Sequence, residues 1–223
     1  MPPVTVEELN QLASSEDWGD RIKAINQARE LAGDDALPLL STLATDTNTR
    51  VRYAAVSQIG TLDLSDRGIP LPLLKERLET DPEVDVRAAA AAALGDLKQP
   101  GTLQDLLAAL EREEEWLMVL SIIAALGELG DLGAMDAVLA AATDENVLIR
   151  ATAASALGDL GDERGLEALQ LLAADSDWQT RHRVCISLGK IAGDSARTLL
   201  NSLARDGEEQ VAATAKDILE QTV

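Results

Sequence analysis

A short motif that recurs along the chain constrains its fold more than any other feature. The stretch 144–162, DENVLIRATAASALGDLGD, shows the motif in full: a turn aspartate, Ile-Arg, a run of small residues and Leu-Gly-x-Leu-Gly-Asp. A period of roughly 31 residues is typical of a solenoid unit made of two helices. The sequence therefore predicts about seven such repeats, aligned on Ala28, Ile59, Leu94, Leu126, Leu157, Leu188 and Leu219.

Capping and turn residues set the predicted boundaries. Thr5 and Glu8 form a T-x-x-E capping box at the first helix, and Gly68 and Pro70 mark a loop in the longest insertion. No segment alternates with a period of two residues, so no strand is expected. We predict one solenoid over residues 1–223, with repeats at 5–32, 34–61, 70–97, 102–129, 132–160, 163–191 and 195–221.

Charged residues at fixed repeat positions predict a structural ladder. An arginine near the start of each second helix can bridge to an acid that lies before the second helix of the next repeat. Val119 replaces the arginine in the fourth repeat. We expect the ladder to stabilise the stack rather than catalyse; its members are Arg21, Arg52, Arg87, Arg150 and Arg181 with Asp46, Asp81, Glu113, Asp144, Asp175 and Asp206.

Composition limits the partners and the compartment. The net charge is −20, from 39 acidic and 19 basic residues, and such a field repels nucleic acid and anionic membranes. The lone Cys185 suits a reducing compartment. No apolar run reaches the roughly 18 residues of a membrane span, and no signal peptide is recognised. A cytoplasmic protein is predicted, with no membrane span and no nucleic-acid partner.

Helical periodicity predicts an apolar groove. With the Val of V-R-x-x-A-A-x-A-L numbered zero, positions 0, 3, 4, 7 and 8 share the core face, whereas positions 2, 5 and 6 point away from it. Those outward positions carry no charged residue except His182. In the fourth repeat, either a ligand or the neighbouring helices could cover the apolar stretch Trp116–Leu126. The predicted binding residues are Arg50, Arg52, Tyr53, Val56, Arg87, Leu120, Ile123 and Arg183, with the arginines at the edge.

Candidate catalytic residues are few. His182 and Cys185 are three residues apart on one predicted helix, so a Cys–His pair is geometrically possible, although most such pairs are accidental. Tyr53 is the third candidate. Trp18, Trp116 and Trp178 share one repeat position and serve either as structural plugs or as a binding rim. No phosphate-binding loop and no metal-ligand spacing is present, so no metal site and no tightly bound cofactor are predicted.

The repeats resemble the HEAT-like repeats of the phycobilisome lyases. The resemblance rests on DTNTRVRYAAVSQIGTL, DPEVDVRAAAAAALGDL, DENVLIRATAASALGDLGD and DSDWQTRHRVCISLGKIAGD, and it covers nearly the whole chain. It implies an all-α, right-handed α-solenoid of about seven HEAT-like two-helix repeats. SEDWGDRIKAINQ, RVRYAAVSQ, SIIAALGELGD and SDWQTRHR look closer still to the cyanobacterial NblB family of phycobilisome degradation proteins.

The closer resemblance implies a function on phycobiliproteins, phycocyanin and allophycocyanin. Such a protein would help to detach the bilin chromophore, with lyase-like chemistry if it is an enzyme, and would bind phycocyanobilin only transiently. A linear tetrapyrrole is apolar with two propionates, which suits an apolar groove edged by arginines. The alternatives are a non-enzymatic adaptor for phycobilisome proteolysis and a scaffold-binding HEAT protein of iron–sulfur assembly. The resemblance carries over no catalytic residue.

Overall fold

The computed structural model describes residues 5–191 and 193–221, and this part of the chain folds into fourteen α-helices and three short 3₁₀ turns, without a β-strand. The helices follow one another as seven pairs, as the repeat predicts. The all-α solenoid class is therefore confirmed. Its right-handed sense stays a prediction.

The first compact unit spans residues 1–105. Six helices belong to it, and a seventh, α7, begins in it and continues past its end. The second helix of each pair packs against its counterpart in the neighbouring pair, as α2 does with α4 and α4 with α6. The helices are α1 (Val6–Ala13), α2 (Trp18–Gln27), α3 (Gly33–Leu43), α4 (Thr49–Gly60), α5 (Leu71–Thr80), α6 (Val84–Leu97) and α7 (Thr102–Arg112).

The second compact unit spans residues 106–223. Its second helices form a row in which α8 packs on α10, α10 on α12, and α12 on α14. A single solenoid over the whole chain stays a prediction. The helices that lie within the second unit are α8 (Trp116–Leu129), α9 (Met135–Ala141), α10 (Val147–Leu160), α11 (Leu166–Leu172), α12 (Trp178–Lys190), α13 (Asp194–Leu203) and α14 (Glu209–Gln221).

Polar caps start the helices where the sequence places them. Thr5 and Glu8 form the predicted capping box of α1. The side chains of Asn48, Asn146 and Asp177 accept backbone N–H groups at the starts of α4, α10 and α12. A short side chain with an acceptor oxygen satisfies donors that a helix start leaves without partners.

The glycine of the Leu-Gly step lets consecutive second helices approach closely. A Cβ atom at Gly127 would lie 2.7 Å from the Cα of Ala156, and one at Gly158 would lie 2.6 Å from the Cα of Ser187. Any larger residue would push the backbones apart. This packing explains why the motif combines glycine with a run of small residues.

The predicted ladder of arginine and aspartate is present in both units. Nε of the arginine lies 2.7 to 2.8 Å from a carboxylate oxygen of the next repeat in four pairs: Arg21–Asp46, Arg52–Asp81, Arg150–Asp175 and Arg181–Asp206. Each arginine also donates through Nη1 to backbone carbonyls just before its own helix, such as those of Asp175 and Ser176 for Arg181. Where such a pair forms, it joins one repeat to the next and fixes the turn that precedes the second helix.

Three of the ladder carboxylates have a lowered pKa, which favours their ionised form. Hydrogen bonds from Arg150 and Arg181 lower the pKa of Asp175 and Asp206, respectively. Burial acts to raise the pKa of Asp81, whose side chain is fully buried, but the hydrogen bonds from Arg52 and from the N–H of Glu83 hold it below its ordinary value. Each ladder aspartate accepts the N–H two residues later and precedes the helix cap, rather than being the cap itself.

Candidate ligand-binding cavity

The second helices of the second unit surround a cavity of about 540 Å³. Its walls come from the exposed sides of α8, α10 and α12, and one residue of α14 closes it. Ligand pockets of small molecules fall in the range of roughly 300–1,000 Å³. The residues that line it include Leu120, Val147, Leu148, Ala151, Thr152, Ser155, Asp177, Trp178, Gln179, His182, Arg183, Ile186, Lys190 and Gln210.

One wall of the cavity is apolar. Leu148 and Ile186 keep 47% and 43% of their surface exposed, and both line the cavity. The Trp178 ring meets the His182 ring edge to face, with 6.5 Å between the centroids. Leu120 is half-buried on α8 and extends this wall. The wall offers apolar and aromatic surface that a ligand would remove from water.

The polar edge of the cavity contains His182 and Arg183. Nε2 of His182 lies 3.0 Å from Oγ1 of Thr214, and Nη1 of Arg183 donates to Oγ of Ser155 at 3.1 Å. Among the described residues, Arg183 forms no ion pair. Lys190 is different, because its Nζ contacts the Asp159 carboxylate. Arg183 is thus a cation at the cavity whose charge no acid neutralises.

The prediction that position 5 faces the groove is wrong, because the side chains at this position lie in the core. Val56, Ile123 and Cys185 are fully buried. Within each unit an inner second helix packs against two other second helices as well as its own first helix, as α4 does against α2, α6 and α3, and α12 against α10, α14 and α11. These neighbours cover position 5 as well as the predicted core positions. Position 6 stays exposed or half-buried, whereas position 2 is mixed, because Ala88 and Ala151 are buried and the larger side chains at this position reach the surface. Leu120 and His182 are at position 2 and line the cavity, and Tyr53 is at position 2 in the first unit with 48% of its surface exposed.

The structure does not bring the predicted Cys–His pair together. Sγ of Cys185 points to the carbonyl of Val211 at 3.8 Å, whereas His182 contacts Thr214. Burial, with a smaller contribution from the Asp206 carboxylate, raises the pKa of the Cys185 thiol to about 12. A buried thiol with such a pKa is a poor nucleophile. Tyr53 belongs to α4 of the first unit, so it is not part of this cavity either.

The four predicted edge arginines have different environments. Arg52 is buried and donates two hydrogen bonds to Asp81, so the ladder uses its guanidinium. Arg87 is half-buried and donates to the carbonyl of Asp81 at 3.2 Å. Arg50 is exposed and lies 5.3 Å above the Trp18 ring. Only Arg183 lines the cavity of the second unit.

The ladder does not edge the cavity in the second unit, contrary to the sequence-based expectation. Neither Arg150 nor Arg181 belongs to its lining. Both guanidinium groups turn toward the acid of the following repeat, because the ion pair and the carbonyl bonds hold them there. The ladder and the cavity are therefore separate features of the same helices.

Sequence reasoning missed Leu148 and Lys190 as lining residues. In its repeat, Leu148 stands one residue before position 0, and Lys190 stands at position 10. Position 3, which the periodicity assigned to the core face, belongs to the exposed stripe instead, since Arg183 is exposed there and lines the cavity. Positions −1 and 10 continue the stripe of positions 2, 3 and 6, because residues three and four apart lie on one face of a helix. Extending the exposed stripe to both helix ends would have found them.

The sequence matches the HEAT-repeat family along almost its whole length. The matches cover residues 6–75, 71–147, 103–174 and 135–220. The chain belongs to the HEAT-repeat family. No curated protein matches the sequence of this HEAT-repeat protein.

Several solved structures share this HEAT-repeat fold. The complex of CpcE and CpcF of phycocyanin lyase from Nostoc sp. PCC7120 is similar with a TM-score of 0.65 and 19% identity, over 100% of this chain and 96% of that chain. The Escherichia coli protein YibA gives 0.61 and 14%, over 98% and 93% of the two chains. An archaeal HEAT-like repeat protein from Thermococcus onnurineus NA1 gives 0.56 and 16%, over 99% and 97%. At these identities the likeness shows the fold.

The described residues offer neither a membrane span nor a cluster of metal ligands. No helix there is long and apolar enough to cross a bilayer. No group of three or more His, Cys, Asp or Glu side chains in the same residues is placed to hold a metal ion. The cytoplasmic location stays a prediction.

Proposed function

We propose that this HEAT-repeat protein is a phycobilisome degradation factor of the NblB type. It binds phycobiliproteins such as phycocyanin and allophycocyanin and helps to detach their covalently bound bilins. The observation that carries the proposal is the cavity of the second unit, which combines an apolar wall with His182 and the unpaired Arg183. The likeness to the CpcE–CpcF phycocyanin lyase complex supports it at the level of the fold.

The chemistry of a bilin matches this cavity. An open-chain tetrapyrrole presents flat apolar rings and two propionates. The rings would cover Leu148, Trp178 and Ile186, whose exposed surface is costly in water. A propionate would meet Arg183, since guanidinium and carboxylate form strong charge-assisted hydrogen bonds. A volume of about 540 Å³ holds a large part of such a ligand.

Detachment needs proton transfer more than a protein nucleophile. In the reverse of thioether formation, a base removes a proton from the bilin carbon adjacent to the carbon that bears the sulfur, and a C=C bond forms between these two carbons. The C–S bond breaks, and the departing thiolate takes up a proton. His182 is the acid–base candidate in the cavity, and Thr214 orients its ring. Cys185 is sealed in the core and takes no part in this scheme.

The test is to incubate the protein with intact phycocyanin in the dark. Bilin absorbance would be followed, and the bilin that remains on the denatured subunits would be measured. We expect loss of covalent bilin with the wild type and at least a tenfold slower loss with His182→Gln, because acid–base catalysis contributes roughly 10²–10⁴-fold. Arg205→Gln is the control, since Arg205 is exposed and lies outside the cavity lining. An unchanged spectrum without complex formation would overturn the proposal.

A non-enzymatic adaptor is the second candidate function. The observation that favours it is the burial of Cys185, the one cysteine of the chain, because no thiol in the cavity can then take a bilin over from the phycobiliprotein, and an enzyme would be left with the proton-transfer route alone. An adaptor would form a complex with phycocyanin on gel filtration and leave its spectrum unchanged. The iron–sulfur alternative loses support for the same reason, because Cys185 cannot reach a cluster on another chain without opening the core.

A further inference from the structure

We propose that Arg183 is the carboxylate-binding residue of this cavity and makes it selective for apolar ligands that carry an acid group. The inference rests on the proposed function for the ligand class, an open-chain tetrapyrrole. The choice of Arg183 rests on contacts within the second unit. It deepens the proposed function, which pairs Arg183 with a propionate, because it makes this one residue decide whether the acid or the ester form of the ligand is held.

Two arginines on α12 have opposite environments. Arg181 donates to both carboxylate oxygens of Asp206 at 2.8 and 2.9 Å and to two backbone carbonyls. Arg183 donates one hydrogen bond to the neutral hydroxyl of Ser155. A guanidinium has five N–H donors in a planar fork. Arg183 therefore keeps its full charge and most of its donors for a ligand, while Ser155 fixes its position.

The other charged groups in the lining are already engaged. Lys190 pairs with Asp159 at the end of α12. Asp177 is the acid of the lining, and one of its carboxylate oxygens accepts the N–H and the hydroxyl of Thr180 at 2.7 and 2.9 Å. An anionic ligand would thus find Arg183 as the cation without an acidic partner. This local property stands out in a protein with a net charge of −20.

The apolar body of the ligand has its own place beside Arg183. Ile186 follows Arg183 by three residues and His182 by four, so these side chains stand on one side of α12. Leu148 adds apolar surface from α10. The acid group and the rings of one ligand can therefore contact α12 at the same time. Binding at one point only, by charge or by apolar contact, would not need this arrangement.

Titration with biliverdin and with its dimethyl ester tests the inference directly. Quenching of tryptophan fluorescence reports binding, because Trp178 lines the cavity. The wild type should bind the diacid about ten- to a hundredfold more tightly than the ester, as expected for hydrogen bonds to a charged group. Arg183→Gln should abolish this preference and leave the affinity for the ester unchanged. Arg183→Lys should keep part of it, because lysine keeps the charge and loses the fork.

Arg205→Gln is the matched control. It removes the same charge from an exposed arginine of the second unit that does not line the cavity, so the preference should stay at the wild-type value. Circular dichroism would verify that each variant is folded. Equal affinity of the wild type for diacid and ester, an unchanged preference in Arg183→Gln, or no binding of either compound would each overturn the inference.

The same variants separate this inference from the proposed function. Phycocyanin binding and bilin loss would be measured alongside the titrations. If phycocyanin is bound and bleached but the protein does not prefer the diacid, Arg183 is not the carboxylate-binding residue, and the proposed function is kept. If the preference is present but phycocyanin is neither bound nor changed, the carboxylate site stands and the phycobilisome function falls.

Discussion

The arginine ladder and the cavity of the second unit use polar groups in opposite ways. In the ladder, Arg181 has donors to a carboxylate and to two carbonyls, and Asp206 is ionised by that contact. In the cavity, Arg183 donates one hydrogen bond to the hydroxyl of Ser155, and the aliphatic side chains of Leu148 and Ile186 stay exposed. Groups with all partners inside the protein stabilise it. Groups with spare donors and exposed apolar surface are available for a ligand.

Cys185 gives the strongest test of this comparison. It follows His182 by three residues on α12, but its side chain is buried in the core whereas that of His182 lines the cavity. The pKa of about 12 leaves far less thiolate than an ordinary thiol has. We expect the native protein to react with a thiol reagent at pH 8 roughly a thousandfold more slowly than the unfolded protein. Absorbance of the released thiol reagent product measures the rate with and without urea.

Rapid labelling of the native protein would break the comparison. It would place Cys185 in contact with solvent and return it to the candidates for chemistry in the cavity. The control is the total thiol count in urea, which must equal the one cysteine of the chain.

The deepest contact of the ladder should give the largest loss of stability. The Asp81 side chain is fully buried and that of Arg52 is 9% exposed. Asp81→Ala leaves the guanidinium buried without its partner, which costs roughly 3–5 kcal/mol of unfolding free energy. Urea unfolding followed by circular dichroism measures it. Asp105→Ala is the control, because the Lys75–Asp105 pair is more than one-third exposed at both ends, and it should cost less than about 1 kcal/mol.

The sequence predicted the ladder well and the cavity only in part, and the reason is physical. A ladder contact needs an arginine and an aspartate at a fixed spacing, and the sequence shows this spacing directly, as for Arg150 and Asp175. A cavity depends on the width of the buried arc of each helix. That width follows from three neighbouring helices, which no single repeat specifies. The helical periodicity therefore assigned Cys185 to the groove face although it is buried in the core, whereas it assigned His182, about one turn earlier, to that face correctly.

The ladder should also govern stability at acid pH. The pKa of Asp175 and that of Asp206 are lower in the folded protein than in the unfolded chain, because Arg150 and Arg181 favour the charged forms. Their stabilisation is fully present above the unfolded pKa of about 3.9 and is lost as the pH falls through the folded pKa. The unfolding free energy should decrease from pH 7 to pH 3.

A variant assigns this pH dependence to the ladder. Asp175→Asn cannot ionise, so its stability should fall less than that of the wild type over the same pH interval. Asp35→Asn changes an exposed acid of α3 and should keep the wild-type profile. A parallel pH dependence of Asp175→Asn and the wild type would contradict the assignment.

The ladder lacks one contact, between position 119 and Asp144. Restoring it should have the smallest effect of those predicted here, and it tests directly what a ladder contact requires. Asp144 accepts the N–H of Asn146 at 2.7 Å, as Asp175 accepts that of Asp177, but it has no ion pair among the described residues. Val119 holds the arginine position and is half-buried. Val119→Arg should therefore pair with Asp144 and contribute about 0.5–1 kcal/mol of coupling.

A double-mutant cycle with Asp144→Ala isolates that coupling from the apolar contacts that Val119 loses. Unfolding free energies of the wild type, both single variants and the double variant measure it, and removing Asp144 should cost more when residue 119 is arginine. Zero coupling would mean that the carbonyl bonds of the ladder arginines, rather than their carboxylate partners, hold the helix starts. A positive coupling would show that spacing alone makes a ladder contact, in contrast to the cavity, where Arg183 stays free although acids are abundant in the chain.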